Sequence, residues 1–253
     1  MIKVRTDEEI ELLRENALLV SKTLAEVGRH IKPGISTKSL DTIAEGFIRD
    51  HGAEPAFLGY EGFPATLCIS LNSTVVHGIP SGRILKEGDL VSVDCGTRYK
   101  GFCGDSAYTF GVGELSPENQ KLLRITRESL FKGIEKAVVG NRVGDISYAV
   151  QSYVEQFGYS VVREMVGHAI GNRIHEAPDV PNFGRKGSGK RLLSGMVICI
   201  EPMINAGAKA VYYDEDGWSL ITNDHKNSAH FELTVVVKDG KPDVLSTFDL
   251  ITN

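Results

Sequence analysis

Five side chains that can bind a metal ion stand where the sequence predicts buried β-strands. Asp94 follows the apolar run Leu-Val-Ser-Val, Glu201 follows Met-Val-Ile-Cys-Ile, and Glu232 precedes Leu-Thr-Val-Val-Val. Because an unpaired carboxylate is costly to bury, acidic residues in such strands need a partner, and one divalent metal site can serve several of them. The candidate ligands are Asp94, Asp105, His168, Glu201 and Glu232.

Four carboxylates and one imidazole form an oxygen-rich ligand set, which suits manganese, iron or cobalt and tolerates zinc. The alternative for any one acid is a solvated residue at a strand edge or turn, which is our interpretation of Asp89 and Asp214. Spacing alone does not show that the five side chains meet. Residue types therefore leave the metal site and the solvated acids equally open.

The elements that must position these residues begin with two predicted helices. Thr6 and Glu9 fit a capping box, and apolar residues then recur at helical spacing up to Pro33-Gly34. A second helix is predicted from Thr37 to Gly52. Strands are predicted next, at 66–71, at 90–95 and at 99–110, where the chain bends around Gly101 and Gly104.

The second part of the chain repeats this order. Ser116-Pro117 starts a helix that we expect to reach about Val139, and another runs from Asp145 to Gly158. Five strands are then expected, at 160–170, 196–204, 210–213, 218–221 and 231–237. The pattern predicts an α+β fold with helices covering one face of a mainly antiparallel sheet, and it hints at two similar halves. We expect residues 1–253 to form a single catalytic domain.

Several short strings resemble one family when they are taken in order. They are Val-His-Gly-Ile-Pro at 76–80, Val-Asp-Cys-Gly at 93–96, Gly-Asp-Ser at 104–106, Gly-His-Ala-Ile-Gly at 167–171 with His175-Glu176-Ala177-Pro178, Ile-Glu-Pro-Met at 200–203, and Phe-Glu-Leu-Thr-Val at 231–235. Together they resemble the methionine aminopeptidases of bacterial type I, which are M24 metallopeptidases. The resemblance runs from the first helix to the last strand.

This resemblance implies the pita-bread fold, a pseudo-twofold pair of halves around a curved antiparallel sheet covered by helices. It also implies two divalent ions (Co, Mn, Fe or Zn). Asp105 and Glu232 would bridge them, Asp94 would chelate one, and His168 and Glu201 would complete the other. His77 and His175 match the two histidines that line the cleft and contact the substrate.

The implied activity is removal of the initiator methionine from nascent proteins when the second residue is small. A metal-bridging hydroxide would attack the first carbonyl, because metal-bound water can ionise near neutral pH. Glu201 would move the proton, His175 would donate to the carbonyl oxygen, and His77 would lie near the scissile amide nitrogen. The alternative for each histidine is a satisfied core or surface side chain. A serine mechanism has no support, since no Gly-x-Ser-x-Gly string occurs.

A methionine pocket is implied as well. By position its walls would be Phe57, Tyr60, Phe63, Cys68, Ile174 and Trp218. Phe57, Ile174 and Phe63 stand where the family leads us to expect Cys, Phe and Tyr, and ordinary core roles compete for the first two. Ala169 and Leu233 also depart from the expected Gly and His, but neither is a candidate ligand.

Two further site interpretations carry open alternatives. Asn72, Thr74 and Ser228 match positions that bind a monovalent cation in relatives, and hydrogen-bonded turn residues are an equal alternative. The basic cluster, defined as Arg185, Lys186, Lys190 and Arg191, would dock on ribosomal RNA or form a solvated loop.

Composition limits the partners and the location. The 253 residues carry a net charge of -5, which offers no general attraction to DNA or anionic membranes. The charged N-terminus is not a secretory signal, and no apolar run is long enough to span a bilayer. We expect a cytoplasmic monomer that acts on methionyl peptides and nascent chains, with its four cysteines buried and reduced.

Two competing functions remain open from the sequence. One is a proline-specific dipeptidase of the same fold. Such enzymes usually carry a separate N-terminal domain, whereas in this sequence only two predicted helices precede the first strand motif. A non-catalytic peptide-binding module would typically have lost metal ligands, and all five are present.

Overall fold

The computed structural model describes residues 2–251, which form four α-helices and fifteen β-strands. The helices are α1 (Asp7–His30), α2 (Thr37–Asp50), α3 (Pro117–Ile134) and α4 (Val143–Glu155). A 3-10 turn spans Tyr60–Gly62. The strands are β1 (Glu54–Pro55), β2 (Leu67–Leu71), β3 (Thr74–Val76), β4 (Leu90–Tyr99), β5 (Phe102–Gly111), β6 (Ser160–Val161), β7 (Gly167–Ala169), β8 (Glu176–Val180), β9 (Val197–Ile200), β10 (Met203–Asn205), β11 (Val211–Tyr213), β12 (Leu220–Thr222), β13 (Ser228–His230), β14 (Leu233–Val236) and β15 (Asp243–Val244).

The helix starts agree with the sequence signals. Thr6 accepts a hydrogen bond from the Glu9 amide, and the Glu9 carboxylate accepts one from the Thr6 amide, so the predicted capping box is present. Helix α4 begins at Val143, two residues earlier than predicted, because the Asp145 carboxylate caps the Arg142 amide from inside the helix.

The predicted end of α3 at Val139 is wrong. The helix ends at Ile134, and the following residues leave it to dock on the C-terminal region, where the Val139 amide donates to the Lys238 carbonyl. Two predicted strands are also interrupted. Residues 160–170 contribute β6 to one sheet and β7 to another, and residues 196–204 break at Glu201-Pro202, since proline lacks an amide hydrogen.

Two sheets support the centre of the molecule. In the first, β4 is flanked by β2 and β5, while β1 extends it at one end. In the second, the order is β15-β14-β9-β7-β8. Every pairing within these sheets is antiparallel. They meet where Ala107 of β5 pairs with Glu232, just before β14.

The helices cover these sheets and close the core. Helix α1 lies against β4 and β5, and α3 packs on α4. Gly104 permits the close approach of β5 to α1, because a Cβ there would lie 2.7 Å from the Asn16 carbonyl carbon. Within residues 2–251, no helix is both long enough and apolar enough to cross a membrane.

Candidate metal centre and active site

The β4–β5 hairpin places two of the candidate acids side by side. Its register pairs Gly96 with Asp105 and Asp94 with Ala107. Because alternate residues of a strand share one face, Asp94 and Asp105 lie diagonally opposite each other on the same face of the sheet. The hairpin thus explains why two aspartates eleven positions apart in the chain lie close together.

The second sheet brings the other ligands to this point. Leu233 pairs with Ile200, so Glu232 and Glu201 stand opposite each other just beyond the paired residues. The Glu232 amide donates to the Ala107 carbonyl at 2.9 Å, which ties this end of the second sheet to β5. His168 lies on β7, next to β9.

The side chains converge at distances that a shared ion can bridge. His168 Nε2 lies 3.6 Å from Asp105 Oδ2 and 3.5 Å from Glu201 Oε1. Asp105, His168 and Glu232 each present a ligand atom within 4.8 Å of the others. Asp94 and Glu201 line the same cavity, so the structure brings all five sequence-predicted ligands together.

Cys199 presents its sulfur to the same cluster. Burial raises the pKa of this thiol well above its usual value, helped by the charges of Glu232 and Asp105, so the sulfur stays protonated. The sulfur also contacts the Thr234 hydroxyl at 3.5 Å. Cys199 is therefore a supporting residue beneath the acids. All four cysteines are buried and free, as the sequence predicted.

The electrostatics show a site that needs positive charge. Burial raises the pKa of Asp105, Glu201 and Glu232 well above the usual carboxyl range, and neighbouring carboxylates add to the shift. Burial also raises the pKa of Asp94 to about 6 and lowers that of His168 to about 3. Among residues 2–251, no lysine or arginine lines this cavity.

Unpaired oxygens make the same point geometrically. Asp94 Oδ1, Asp105 Oδ1 and Glu232 Oε1 are buried and have no hydrogen-bond partner among the described residues. Buried polar atoms are almost always satisfied in native proteins, so three such carboxylate oxygens around one cavity indicate a cation-binding site. An oxygen-rich set with one imidazole fits a divalent metal ion.

Both candidate histidines line the same cavity. His175 stands at the rim, where its Nδ1 is hydrogen-bonded to the Tyr60 hydroxyl at 3.0 Å and its ring meets that of His168 edge-on at 4.4 Å. His77 has a left-handed backbone with φ of 60°. Burial lowers the pKa of His77 to about 4, so its ring is neutral.

Most of the predicted methionine pocket surrounds a cavity of about 300 Å³ beside the acids. Phe57, Tyr60, Phe63, Cys68 and Trp218 line it, with the Phe63 and Trp218 rings in edge contact at 5.1 Å. Ile174 is placed differently. It is 1% exposed, packs in the apolar cluster behind the cavity and is absent from the described residues that line it.

Comparison with known proteins assigns the family. The sequence profile of metallopeptidase family M24 matches residues 11–239, nearly the whole chain. The chain belongs to metallopeptidase family M24. By this membership it is an enzyme, which argues against the interpretation as a non-catalytic module.

Individual relatives place the chain within family M24. A methionine aminopeptidase of Clostridium perfringens is 52% identical over 97% of this chain and 99% of its own length. The crystal structure of methionine aminopeptidase from Rickettsia prowazekii superimposes with a TM-score of 0.96 at 39% identity, covering 98% of this chain and 100% of that one. The resemblance to the methionine aminopeptidases is therefore confirmed, and so is the pita-bread fold.

A prolidase from Pyrococcus furiosus shares the fold alone. It matches with a TM-score of 0.79 at 23% identity, over 96% of this chain but only 65% of its own. This match therefore supports the assignment of the fold and no more.

An ion-paired clamp holds the loop that carries His175. Arg5 Nη2 lies 2.6 Å from Glu176 Oε2, and Lys3 Nζ lies 3.0 Å from Glu176 Oε1. The Arg5 and Glu176 side chains are 5% and 3% exposed. The Arg5 amide also donates to the Gly195 carbonyl, so the segment before α1 fastens the active-site loop to the second sheet.

Several cavity residues were missed by sequence reasoning. They are Glu61, Val76, Glu164, Met165, Val166, Asp179, Met203 and His230. One of them left a signal in the sequence, because His230 stands two positions before Glu232 in an extended segment, and such residues point to the same side. The others stand in short strands or loops whose direction towards the cavity the sequence pattern does not specify.

A larger cavity of about 900 Å³ lies between α1, β5 and α3. None of the candidate site residues lines it, and two of its charged side chains, Arg124 and Glu128, pair with each other at 3.3 Å. We assign it no part in the chemistry of this M24 enzyme.

The two remaining sequence interpretations have defined positions. The Asn72 side chain donates a hydrogen bond to the Asp89 carboxylate and accepts one from the Leu90 amide. The Asn72 backbone carbonyl accepts a hydrogen bond from the Ser228 amide. Thr74 pairs with Ile221 in the β3–β12 ladder. These contacts account for the conformation of the segment without an ion, and the monovalent cation stays a prediction.

The basic cluster lies on an exposed loop that docks on the start of α4. The Gly144 amide donates to the Ser188 carbonyl, and the Gly187 amide donates to the Asp145 carboxylate. All four basic side chains of the cluster are exposed. Their contact with the ribosome stays a prediction.

Proposed function

We propose that this chain removes the N-terminal methionine from newly made polypeptides whose second residue is small. The observation that carries the proposal is the meeting of four acids and one imidazole at one end of an apolar, aromatic-walled cavity, with two further histidines beside them. Hydrolysis of a peptide bond needs a nucleophile, a proton carrier and a group that stabilises the oxyanion, and this cavity supplies residues for each role.

The donor set fits two divalent metal ions, with cobalt, manganese, iron and zinc as the candidates. Asp94, Asp105, His168, Glu201 and Glu232 would hold them, and the unpaired carboxylate oxygens support this assignment. Bound metal would supply an ionised water near neutral pH and would polarise the carbonyl of the scissile bond.

Glu201 is the residue best placed to carry the proton. Its side chain is 12% exposed and faces the cavity, and burial raises its pKa well above the usual carboxyl range. In the ionised form that a nearby cation favours, the Glu201 carboxylate would accept a proton from the attacking water and return it to the leaving amine.

The two histidines at the cavity wall would orient the substrate. His175, fixed by Tyr60 at 3.0 Å, would donate a hydrogen bond to the carbonyl oxygen as negative charge develops there. His77 would contact the amide nitrogen of the scissile bond. Its lowered pKa of about 4 keeps the ring neutral, so it can accept as well as donate.

The pocket walls suit a methionine side chain. Phe57, Tyr60, Phe63 and Trp218 offer aromatic surfaces, and a thioether packs favourably against aromatic rings. The cavity of about 300 Å³ has room for a methionine side chain.

Other parts of the proposal concern the setting of the enzyme. Residues 1–253 act as one catalytic domain and as a cytoplasmic monomer, and its substrates are methionyl peptides and nascent chains. Asn72, Thr74 and Ser228 hold a monovalent cation. The basic cluster contacts the ribosome only transiently.

The decisive experiment measures methionine release from Met-Ala-Ser and alanine release from an Ala-Pro peptide after metal loading. The wild-type chain should cleave the first peptide and leave the second. Glu201→Gln should lower kcat about a hundredfold to ten-thousandfold. Glu54→Gln, on the exposed edge strand, is the matched control and should behave as wild type. Preferential cleavage of Ala-Pro would favour the dipeptidase instead.

A further inference from the structure

His230 is a buried imidazole whose ring has no hydrogen-bond partner. It ends β13, is 1% exposed and lines the catalytic cavity. Neither Nδ1 nor Nε2 is paired with any described residue. Because buried polar atoms are rarely left unsatisfied, an imidazole in this position indicates an interaction completed only in the working site.

The backbone of His230 is fixed by one hydroxyl group. Thr109 Oγ1 donates to the His230 carbonyl at 2.7 Å and accepts from the His230 amide at 2.9 Å. The Ser92 hydroxyl, 2.8 Å from Thr109 Oγ1, donates to it in turn. On the other side, His230 pairs with Met203 in the β10–β13 ladder. The ring is therefore held towards the cavity.

The carboxylate nearest to the ring belongs to Glu201. His230 Nε2 lies 3.5 Å from Glu201 Oε2, while His168 Nε2 lies 3.5 Å from Glu201 Oε1. One carboxylate is thus flanked by two imidazoles, one facing each oxygen. Asp94 and His77 are the other ionisable groups close to His230, and neither forms a hydrogen bond with its ring.

We infer that His230 is a positioning residue for Glu201. Its Nε2–H donates to Oε2 and leaves Oε1 free to bind the metal ion beside His168. This role rests on the proposed function, because it assumes that Glu201 is both a metal ligand and the proton carrier. A carboxylate restrained at one oxygen presents the other in a fixed direction, and such supporting contacts commonly change metal affinity or activity by 10- to 100-fold.

Three substitutions separate this role from simple packing. His230→Gln keeps an amide donor near the position of Nε2, His230→Asn keeps the polarity but shortens the reach, and His230→Leu removes the donor. His51→Gln, an exposed histidine at the end of α2, is the control. Each metal-free protein is titrated with Co²⁺ by calorimetry, and the absorption of the Co²⁺-loaded form and kcat and KM on Met-Ala-Ser are measured. Urea unfolding of the metal-free proteins checks the fold.

We expect Co²⁺ affinity to fall about 10- to 100-fold in His230→Asn and His230→Leu, with a shifted absorption band and a lower kcat at similar KM. His230→Gln should recover most of the affinity, and the His51 variant should match wild type. The inference would be overturned if His230→Asn and His230→Leu bound Co²⁺ with wild-type affinity. It would also be overturned if His230→Gln lost as much Co²⁺ affinity as His230→Leu. If His230→Leu fails to fold, the comparison of Gln with Asn decides. A wild-type enzyme that binds Co²⁺ but releases no methionine would refute the proposed function and leave the metal-binding result to stand on its own.

Discussion

Replacement of Arg5 by methionine tests how much the N-terminal clamp contributes to stability. The change removes a guanidinium that lies 2.6 Å from a Glu176 oxygen with both side chains almost fully buried. Breaking a buried pair by removing one partner typically costs about 3 to 5 kcal/mol, because the remaining charge is left without compensation.

The structure puts the expected loss at the lower end of that range. Lys3 remains 3.0 Å from the other Glu176 oxygen, and the Arg173 amide also donates to it. We therefore expect Arg5→Met to lower the free energy of unfolding by about 3 kcal/mol. In a chain of this size that corresponds to a Tm lower by about 6 to 12 °C.

The effect should depend on pH in a defined direction. Burial alone would raise the pKa of Glu176, but the hydrogen bond from Lys3 and the charge of Arg5 outweigh it, and the pKa is lowered. Stabilisation from a carboxyl with a lowered folded-state pKa is present above its unfolded pKa and is lost as the pH falls through the folded value. The difference between wild type and Arg5→Met should therefore shrink below about pH 4.

The assay is urea unfolding at several pH values, combined with a double-mutant cycle through Glu176→Gln. Arg49→Met is the matched control, because the Arg49–Glu45 pair is exposed and should contribute only about 0.3 to 0.5 kcal/mol. Additive effects of Arg5→Met and Glu176→Gln, or a loss no larger than that of the Arg49 variant, would refute the buried-clamp reasoning.

Gly104→Ala should destabilise the protein by about 1 to 3 kcal/mol, because the added Cβ would press on the backbone of α1. Gly46→Ala, on an open helix surface, is the control and should not destabilise it, and thermal unfolding of the two variants measures the difference. Trp218→Leu should lower kcat/KM for methionyl peptides about tenfold or more, and unchanged kinetics would remove it from the pocket. The metal-free enzyme should lose stability as the pH rises through the raised pKa values of Asp105 and Glu232, because a carboxyl with a raised folded-state pKa stabilises the fold only at lower pH. Urea unfolding at about pH 5 and about pH 8 should show this loss of stability, and added Mn²⁺ should cancel the loss.

The features that the sequence predicted well are encoded locally. The capping box at Thr6 and Glu9 needs only four consecutive residues, and α1 starts where it indicates. Asp94 and Asp105 meet because a short turn folds one strand back on the next, so their distance along the chain determines their register. Helix periodicity and tight hairpins depend on neighbours in sequence, and single-sequence reasoning captures such neighbours.

The features that it missed depend on distant partners. The sequence of segment 160–170 predicts one strand, yet its two ends belong to different sheets. Strand β6 pairs with β10, whereas β7 pairs with β8 and β9. The clamp joins Arg5 to Glu176, 171 residues away. His230 gains its significance only beside Glu201, and no local pattern brings those two side chains together.

The left-handed backbone of His77 has a consequence for how this enzyme would respond to selection. Such a conformation costs a non-glycine residue about 1 to 3 kcal/mol, and glycine would adopt it freely. The next residue, Gly78, has no room for a side chain, because a Cβ there would collide with the Ile69 carbonyl oxygen. A library screened for heat resistance alone should accumulate glycine at position 77, and the thermostable survivors would lack the imidazole to which we assign the scissile amide contact.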